Sequence, residues 1–299
     1  MWVYLAFCSA TLLGFYDVFK KQSLKNNAVI PILYLNTLFC SLLFLPFLLF
    51  SYYAPSSLMG TIFYVSPVCV TAHLFIFLKS IIVLSSWIFG YFAIKHLPLT
   101  IVGPINATRP VLVLLGAVFL FGEHLNLYQW IGVTLTIISF FLLSRTGKKE
   151  GIDFKHNKWI FFLVAAALLG ASSGLYDKFM MRHFDRMAVL TWYSFYQCLL
   201  MLVIFLFLWW PKRKKSTPFR WKWSIPLISI FLTTADFFYF YALSDPSSMI
   251  SIVSMIRRGS VLVSFTVGAF VFREKNLKLK AFDLIVVFLG MLFLYLASQ

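Results

Sequence analysis

The sequence predicts an all-α membrane protein of about ten transmembrane helices, arranged as two five-helix inverted-topology repeats. Three observations carry this expectation. The 299-residue chain is 61% hydrophobic and 19% aromatic with only 12% charged residues, whereas an ordinary soluble domain is about half apolar and about a quarter charged. Several apolar runs exceed the ~18 residues that mark a spanning helix. The chain also repeats itself, a feature to be sought before any fold is chosen.

Hydropathy places spans near 2–20, 29–50, 76–95, 98–121, 126–144, 158–181, 187–210, 224–243, 247–272 and 279–298. The opening "MWVYLAFCSATLLGFYDVFKK" lacks the basic start and small-residue cleavage site of a signal peptide, so it reads as the first span. The stretch 54–78 is apolar but broken by Ser, Pro and Gly, and is expected to be an interfacial or loop segment feeding the third span. Gly103-Pro104, Pro110 and Asp245-Pro246 loosen or start the fourth and ninth spans, and freed carbonyls of the fourth can line a cavity. A basic linker, 146–157, divides a first unit, 1–145, from a second, 158–299.

The repeat is direct. At an offset of 149, Ala93 falls on Ala242, Ile101 on Ile250 and Arg109 on Arg258; at 151, Glu123 falls on Glu274 and Ser139 on Gly290. At 160, Gly14, Tyr16, Asp17 and Phe19 fall on Gly174, Tyr176, Asp177 and Phe179. Five spans per half is an odd number, so the second half enters the membrane from the opposite side. Inverted repeats are a common construction of transporters, with the substrate site near the midplane.

The stretch "ATRPVLVLLGAVFLFGEHLNLYQWIGVTLTIISFFLLS" at 107–144 runs an apolar helix into a Gly-Glu pair, a polar turn and a Trp-Ile-Gly helix. It resembles the end of an EamA-type domain of the drug/metabolite transporter superfamily. "FVFREKNLKLKAFDLIVVFLGMLFLYLAS" at 270–298 repeats the pattern more loosely, with Arg273 for the Gly and no Trp. The resemblance implies a secondary transporter; cargoes in the superfamily range from amino acids and drugs to sugar phosphates and nucleotide sugars.

Ionisable residues inside spans cost about 2.5–3.5 kcal/mol each on insertion scales and are functional candidates by default. Arg109 and Arg258 each lie about twelve residues, roughly 18 Å, into a span, near the middle of a ~30 Å core. With Arg257 they are candidate forks for a carboxylate or phosphate on the cargo. The competing reading makes Asp236 their structural counter-ion. Three arginines against Asp236 leave two positive charges, which favours an anionic or zwitterionic cargo; Arg257 turned to a headgroup or another helix would reduce that surplus.

Asp17 and Asp177 lie near span ends. Lys21 follows Asp17 at i+4, on the same face, which suggests an interfacial ion pair. Asp177 has only Met180 and Met181 at those spacings. The alternative is a pair of gates at opposite membrane faces, with Tyr16 and Tyr176 as lids and each Asp capturing a base or carrying a coupling proton. Lys79 reads as a snorkelling residue at the edge of the third span. Trp87, Tyr91, Tyr239 and Tyr241 fit packing, or stacking on an organic cargo.

Other classes fit less well. Cys8, Cys40, Cys69 and Cys198 have no zinc or disulfide spacing. The net charge of +16 sits mostly in loops, where Lys and Arg orient membrane proteins, so the partners expected are the lipid bilayer and a small-molecule substrate, not nucleic acid. "GASSG" at 170–174 matches a nucleophile elbow but lies in a membrane helix, and "NAT" at 106–108 is a sequon in mid-span. No Walker, zincin or dinucleotide motif is present, so neither enzyme activity nor a cofactor is expected.

The basic loops follow the odd-numbered spans, which by the positive-inside rule puts both termini outside. The resemblance implies cytoplasmic termini. An unusual orientation or an eleventh span at 54–78 would reconcile the two. The expectation is a multi-pass carrier of the bacterial cytoplasmic membrane working by alternating access, with dimerisation through the charge-poor fifth and tenth spans as an option. A lipid-flipping protein or a channel is the alternative.

Overall fold

The computed structural model describes residues 2–109, 156–214, 216–245, 259–270 and 277–296 without interruption, with scattered positions between them. The described residues form helices and no strands. They are α1 (Trp2–Leu24), α2 (Val29–Tyr53), α3 (Val70–His96), α4 (Leu99–Ala107), α5 (Lys158–His183), α6 (Arg186–Ile204), α7 (Ser224–Leu243), α8 (Ser260–Phe270) and α9 (Leu277–Leu296). A π-helical turn, Phe205–Trp209, extends α6. Six helices, α1, α2, α3, α5, α6 with its extension, and α7, are long and apolar enough to cross a membrane. The fifth predicted span falls mostly outside the described residues, as do Arg258, Glu123, Glu274, Pro110 and Pro246.

Local chemistry sets the helix ends. Asn26 adopts the left-handed φ of 53° after α1, a conformation Asn tolerates better than most residues. The side chains of Asn157 and Asp185 accept from Trp159 N–H and Ala188 N–H, each at 2.9 Å, and so cap α5 and α6. Residues 54–69 contain one helical turn, Pro55–Leu58, then turns and extended chain to Cys69. They form no span, which removes the eleventh-span option. The third helix begins at Val70 instead of near 76.

Contacts fix the helix directions. Ser9 Oγ donates to Ala235 O at 2.7 Å and Ser23 Oγ lies 2.6 Å from Ser224 Oγ, so α1 and α7 are antiparallel. His96 stacks on Trp159 with centroids 3.6 Å apart, while Ser86 Oγ donates to Ala166 O at 2.7 Å, so α3 and α5 are antiparallel too. Lys21 Nζ donates to Ile94 O at 2.7 Å and to Leu97 O, bringing the ends of α1 and α3 together. Helices α1 and α3 thus run opposite to α5 and α7, their sequence equivalents in the second half. The connection between α6 and α7 joins the same face: Asn27 Nδ2 donates to Arg220 O at 2.6 Å and Lys95 Nζ to Thr217 Oγ1 at 3.2 Å. Among the described residues Lys21, Lys25, Lys95, Arg220 and Lys222 gather there.

Small residues allow close crossings, the usual packing device where lipid removes the hydrophobic drive between helices. A Cβ at Gly14 of α1 would stand 2.5 Å from Val263 Cβ and 2.9 Å from Ser260 O of α8; one at Gly103 of α4 would stand 2.8 Å from Val261 Cγ1. The outer surface carries exposed Phe7, Leu74, Leu199 and Phe207, as a lipid-facing bundle requires. All four cysteines are free thiols, Cys40 buried and Cys8 and Cys69 exposed.

Candidate functional site

A cavity of about 160 Å³ lies between the two halves, lined from α1, α3, α4, α5, α6, α7, α8 and the residues beside them. Seven charged side chains reach it: Asp17, Lys20, Lys79, Arg109, Asp177, Asp236 and Arg257. Each aspartate has a base. Asp17 binds Lys20 Nζ at 2.6 Å, one helical turn away. Asp177 binds Lys79, and Asp236 binds Arg257. Four cations meet three carboxylates, so the described lining carries one surplus positive charge. Among the described residues Arg109 is the cation of the lining without a carboxylate partner.

Arg109 follows α4 and lays its guanidinium on Gly170 at the middle of α5. A Cβ at 170 would stand 2.6 Å from Arg109 Nη1 and 2.7 Å from Cζ, so the lack of a side chain creates the seat. Four buried polar atoms of the cavity residues have no hydrogen-bond partner: Nε of Arg109, Nε of Arg257, the Tyr91 hydroxyl and Oδ1 of Asn106. Unpartnered buried groups are rare in native structures and call for an explanation. The two guanidinium nitrogens are donors, Oδ1 of Asn106 is an acceptor, and the Tyr91 hydroxyl can be either.

The aspartates of the two repeated Tyr-Asp motifs reach opposite ends of the cavity. Lys20 Nζ, beside Asp17, lies 4.1 Å from the Tyr16 ring centre and 5.2 Å from that of Tyr91. Lys79 Nζ, beside Asp177, lies 5.1 Å from Tyr193 and 4.8 Å from Phe240. Tyr91 and Phe240 are repeat equivalents at the 149 offset. Both cations gain from ring faces in a dry setting. Positions 79 and 91 of α3 are about 18 Å apart along the helix. Tyr239 ties this end to the Asp236 pair: its hydroxyl donates to Asp177 Oδ2 at 3.4 Å, and Arg257 Cζ lies 4.0 Å from its ring centre.

Six of the eight residues singled out from the sequence, Tyr16, Asp17, Arg109, Asp177, Asp236 and Arg257, line the cavity. Tyr176 does not; its hydroxyl donates to Phe75 O at 3.2 Å. Arg258 lies outside the described residues. Two pairings differ from expectation and one agrees with its competing reading. Asp17 takes Lys20, because Lys21 is held by the α3 carbonyls. Asp236 answers Arg257, one of the three arginines for which it is the expected counter-ion. Lys79 does not snorkel: its side chain is 2% exposed and pairs with Asp177. The sequence reading also passed over Lys20, Asn106, Gly170 and Tyr193. Trp87, Tyr91 and Tyr239 line the cavity and Tyr241 does not; it packs instead under Arg186, whose Cζ is 4.2 Å from its ring centre.

No group of three metal-binding side chains occurs among the described residues. No curated protein sequence matches the chain. A solved structure described only as "Crystal structure of protein" aligns with a TM-score of 0.62 over 96% of this chain and 96% of its own, at 14% identity, a likeness of fold. The model of the EamA-like transporter family matches residues 1–145 and again 157–296. Matched once by each half across nearly its whole length, the chain belongs to the EamA-like transporter family of membrane proteins.

Proposed function

We propose that this transporter is a secondary carrier of the bacterial cytoplasmic membrane that moves a small anionic or zwitterionic organic molecule by alternating access. The observation that carries the reading is Arg109: a guanidinium seated at mid-bundle, facing a cavity, with a buried unpartnered Nε and no carboxylate among the described residues. A buried cation needs an anion, and a cargo carboxylate or phosphate supplies one in the form that a guanidinium fork recognises best. Arg257 Nε and the Tyr91 hydroxyl add donors. Asn106 Oδ1 adds an acceptor, which suits an ammonium or hydroxyl elsewhere on the same cargo.

In this reading the chain has ten spans in two inverted five-helix repeats; the opposed directions of α1 and α3 against α5 and α7, and the double family match, support it. Asp17–Lys20 and Asp177–Lys79 act as latches at the two mouths, each closed over repeat-equivalent aromatic rings. Without a nucleotide motif, an ion gradient or exchange supplies the drive.

The test is the melting temperature of the detergent-purified protein against a panel of amino acids, organic acids, sugar phosphates and nucleotide sugars. A ligand that binds only the folded state raises it by mass action. The reading expects an anionic or zwitterionic compound to stabilise the wild type and not a folded Arg109→Ala variant. Equal shifts in both proteins would remove Arg109 from the site.

A further inference from the structure

Beside the central cavity lies a second, much smaller chamber of about 10 Å³ between α2, α6 and α7. Asp236, Trp87, Tyr193 and Leu232 line both spaces and form the wall between them. The rest of the chamber is polar in places: Cys40 of α2, Ser194 and Gln197 of α6 and Thr233 of α7.

The hydrogen-bonding capacities of these groups are specific. Gln197 is 1% exposed, and its Nε2 has no partner. The Oγ1 of Thr233 is also buried and, beyond the Cys40 thiol beside it, has no partner. Both are donors, and leaving them unmade in a membrane interior is costly. Ser194 spends its hydroxyl hydrogen on Leu190 O at 2.8 Å, so its remaining capacity is to accept. Arg257 takes Oδ1 of Asp236 from the cavity side, and a carboxylate has room for further donors. The chamber therefore offers two donors and two acceptors.

We propose that this chamber is a binding site for one water molecule that accepts from Gln197 and Thr233 and donates to Asp236 and Ser194. Its volume is about that of a single water-sized probe, and buried waters make about three bonds to otherwise unsatisfied groups. A metal cation suits the lining less well, because it would meet the Gln197 N–H and lie behind a carboxylate already neutralised by Arg257. The water gives Asp236 a partner on the side away from the cavity. When an anion in the cavity draws Arg257, the carboxylate is not left bare. The site itself does not depend on what the transporter carries.

Radiolytic footprinting of the full-length protein in detergent tests it. An X-ray pulse converts bound water to hydroxyl radicals that oxidise adjacent side chains, and Cys40, 5% exposed, lines the chamber. Exposed Cys69 serves as the reference. We expect Cys40 to oxidise readily despite its burial, and its rate to fall several-fold in Gln197→Leu/Thr233→Val while that of Cys69 is unchanged. Equal Cys40 rates in the two proteins, whether high or low, would overturn the proposal. So would a wild-type rate that rises when sodium chloride is replaced by choline chloride, since that assigns the chamber to a cation. If the double variant does not fold, Thr233→Val alone carries the same comparison.

Discussion

Replacing Gly170 by alanine separates the role of Arg109 from the stability of the bundle. The new Cβ would stand 2.6 Å from Nη1, 2.7 Å from Cζ and 3.1 Å from Nε of Arg109, where ordinary contact is 3.4–4 Å. The guanidinium must retreat by about 1 Å, and it can, because it ends a flexible side chain. A hydrogen bond to a charged group contributes about 1.5–3 kcal/mol, and each 1.4 kcal/mol is tenfold in affinity. Loss of one such bond to the cargo weakens binding by about ten- to a hundredfold. The backbone responds in the opposite direction, since alanine in a helix interior is favoured over glycine by about 0.5–1 kcal/mol. Gly170→Ala should therefore melt no lower than the wild type without ligand, yet show a much smaller ligand-induced shift and a weaker Kd by calorimetry. Wild-type affinity in this variant would refute the seat as the cargo site; a drop in the unliganded melting temperature would refute the claim that only Arg109 must move.

Four further outcomes follow from other contacts. Lys79→Met strands Asp177 as an uncompensated buried charge, at a cost of about 3–5 kcal/mol, and Lys79→Met/Asp177→Asn should recover most of the lost melting temperature. Gly14→Ala meets the Ser260 carbonyl and Val263 Cβ, which cannot swing aside, so overpacking should cost about 1–3 kcal/mol. Gly90→Ala, with only Ala166 Cβ at 3.8 Å, should be tolerated in the same melting assay. In the loop before α7, burial first and then Lys25 and Arg220 hold the Lys222 ammonium below its ordinary value of 10.5. The folded protein releases that proton before the unfolded chain does, so this group's contribution to stability rises as pH climbs toward 10.5. Melting curves across that range should rise less for Lys222→Met.

The spans were legible because charge-poor apolar runs have few alternatives, and predicted bounds such as 224–243 coincide with α7. Arg109, Tyr16, Asp17 and Asp177 were legible as cavity residues from depth and repetition, whereas Tyr176 is not part of the lining. Which base meets which acid was not. Lys20 and Lys21 are adjacent in sequence but about 100° apart around a helix, and only the tertiary position of the α3 carbonyls decides that Lys21 is taken. Lys79 was misjudged through a boundary: a third span starting at 76 puts it one turn from water, whereas α3 starts at Val70 and sets it about 14 Å inside. Gly170 resembles any small packing residue, and Asn106 is hidden inside a sequon. Their roles arise where helices distant in sequence cross.

The central claim is that the Arg109 cavity carries an anionic group across the membrane. It is tested most directly by uptake of the stabilising compound into proteoliposomes containing wild-type, Arg109→Lys or Arg109→Gln protein. The account predicts saturable uptake by the wild type, weaker uptake with lysine, whose point charge lacks the guanidinium fork, and none with glutamine. Undiminished uptake by Arg109→Gln, or flux that never saturates, would contradict it.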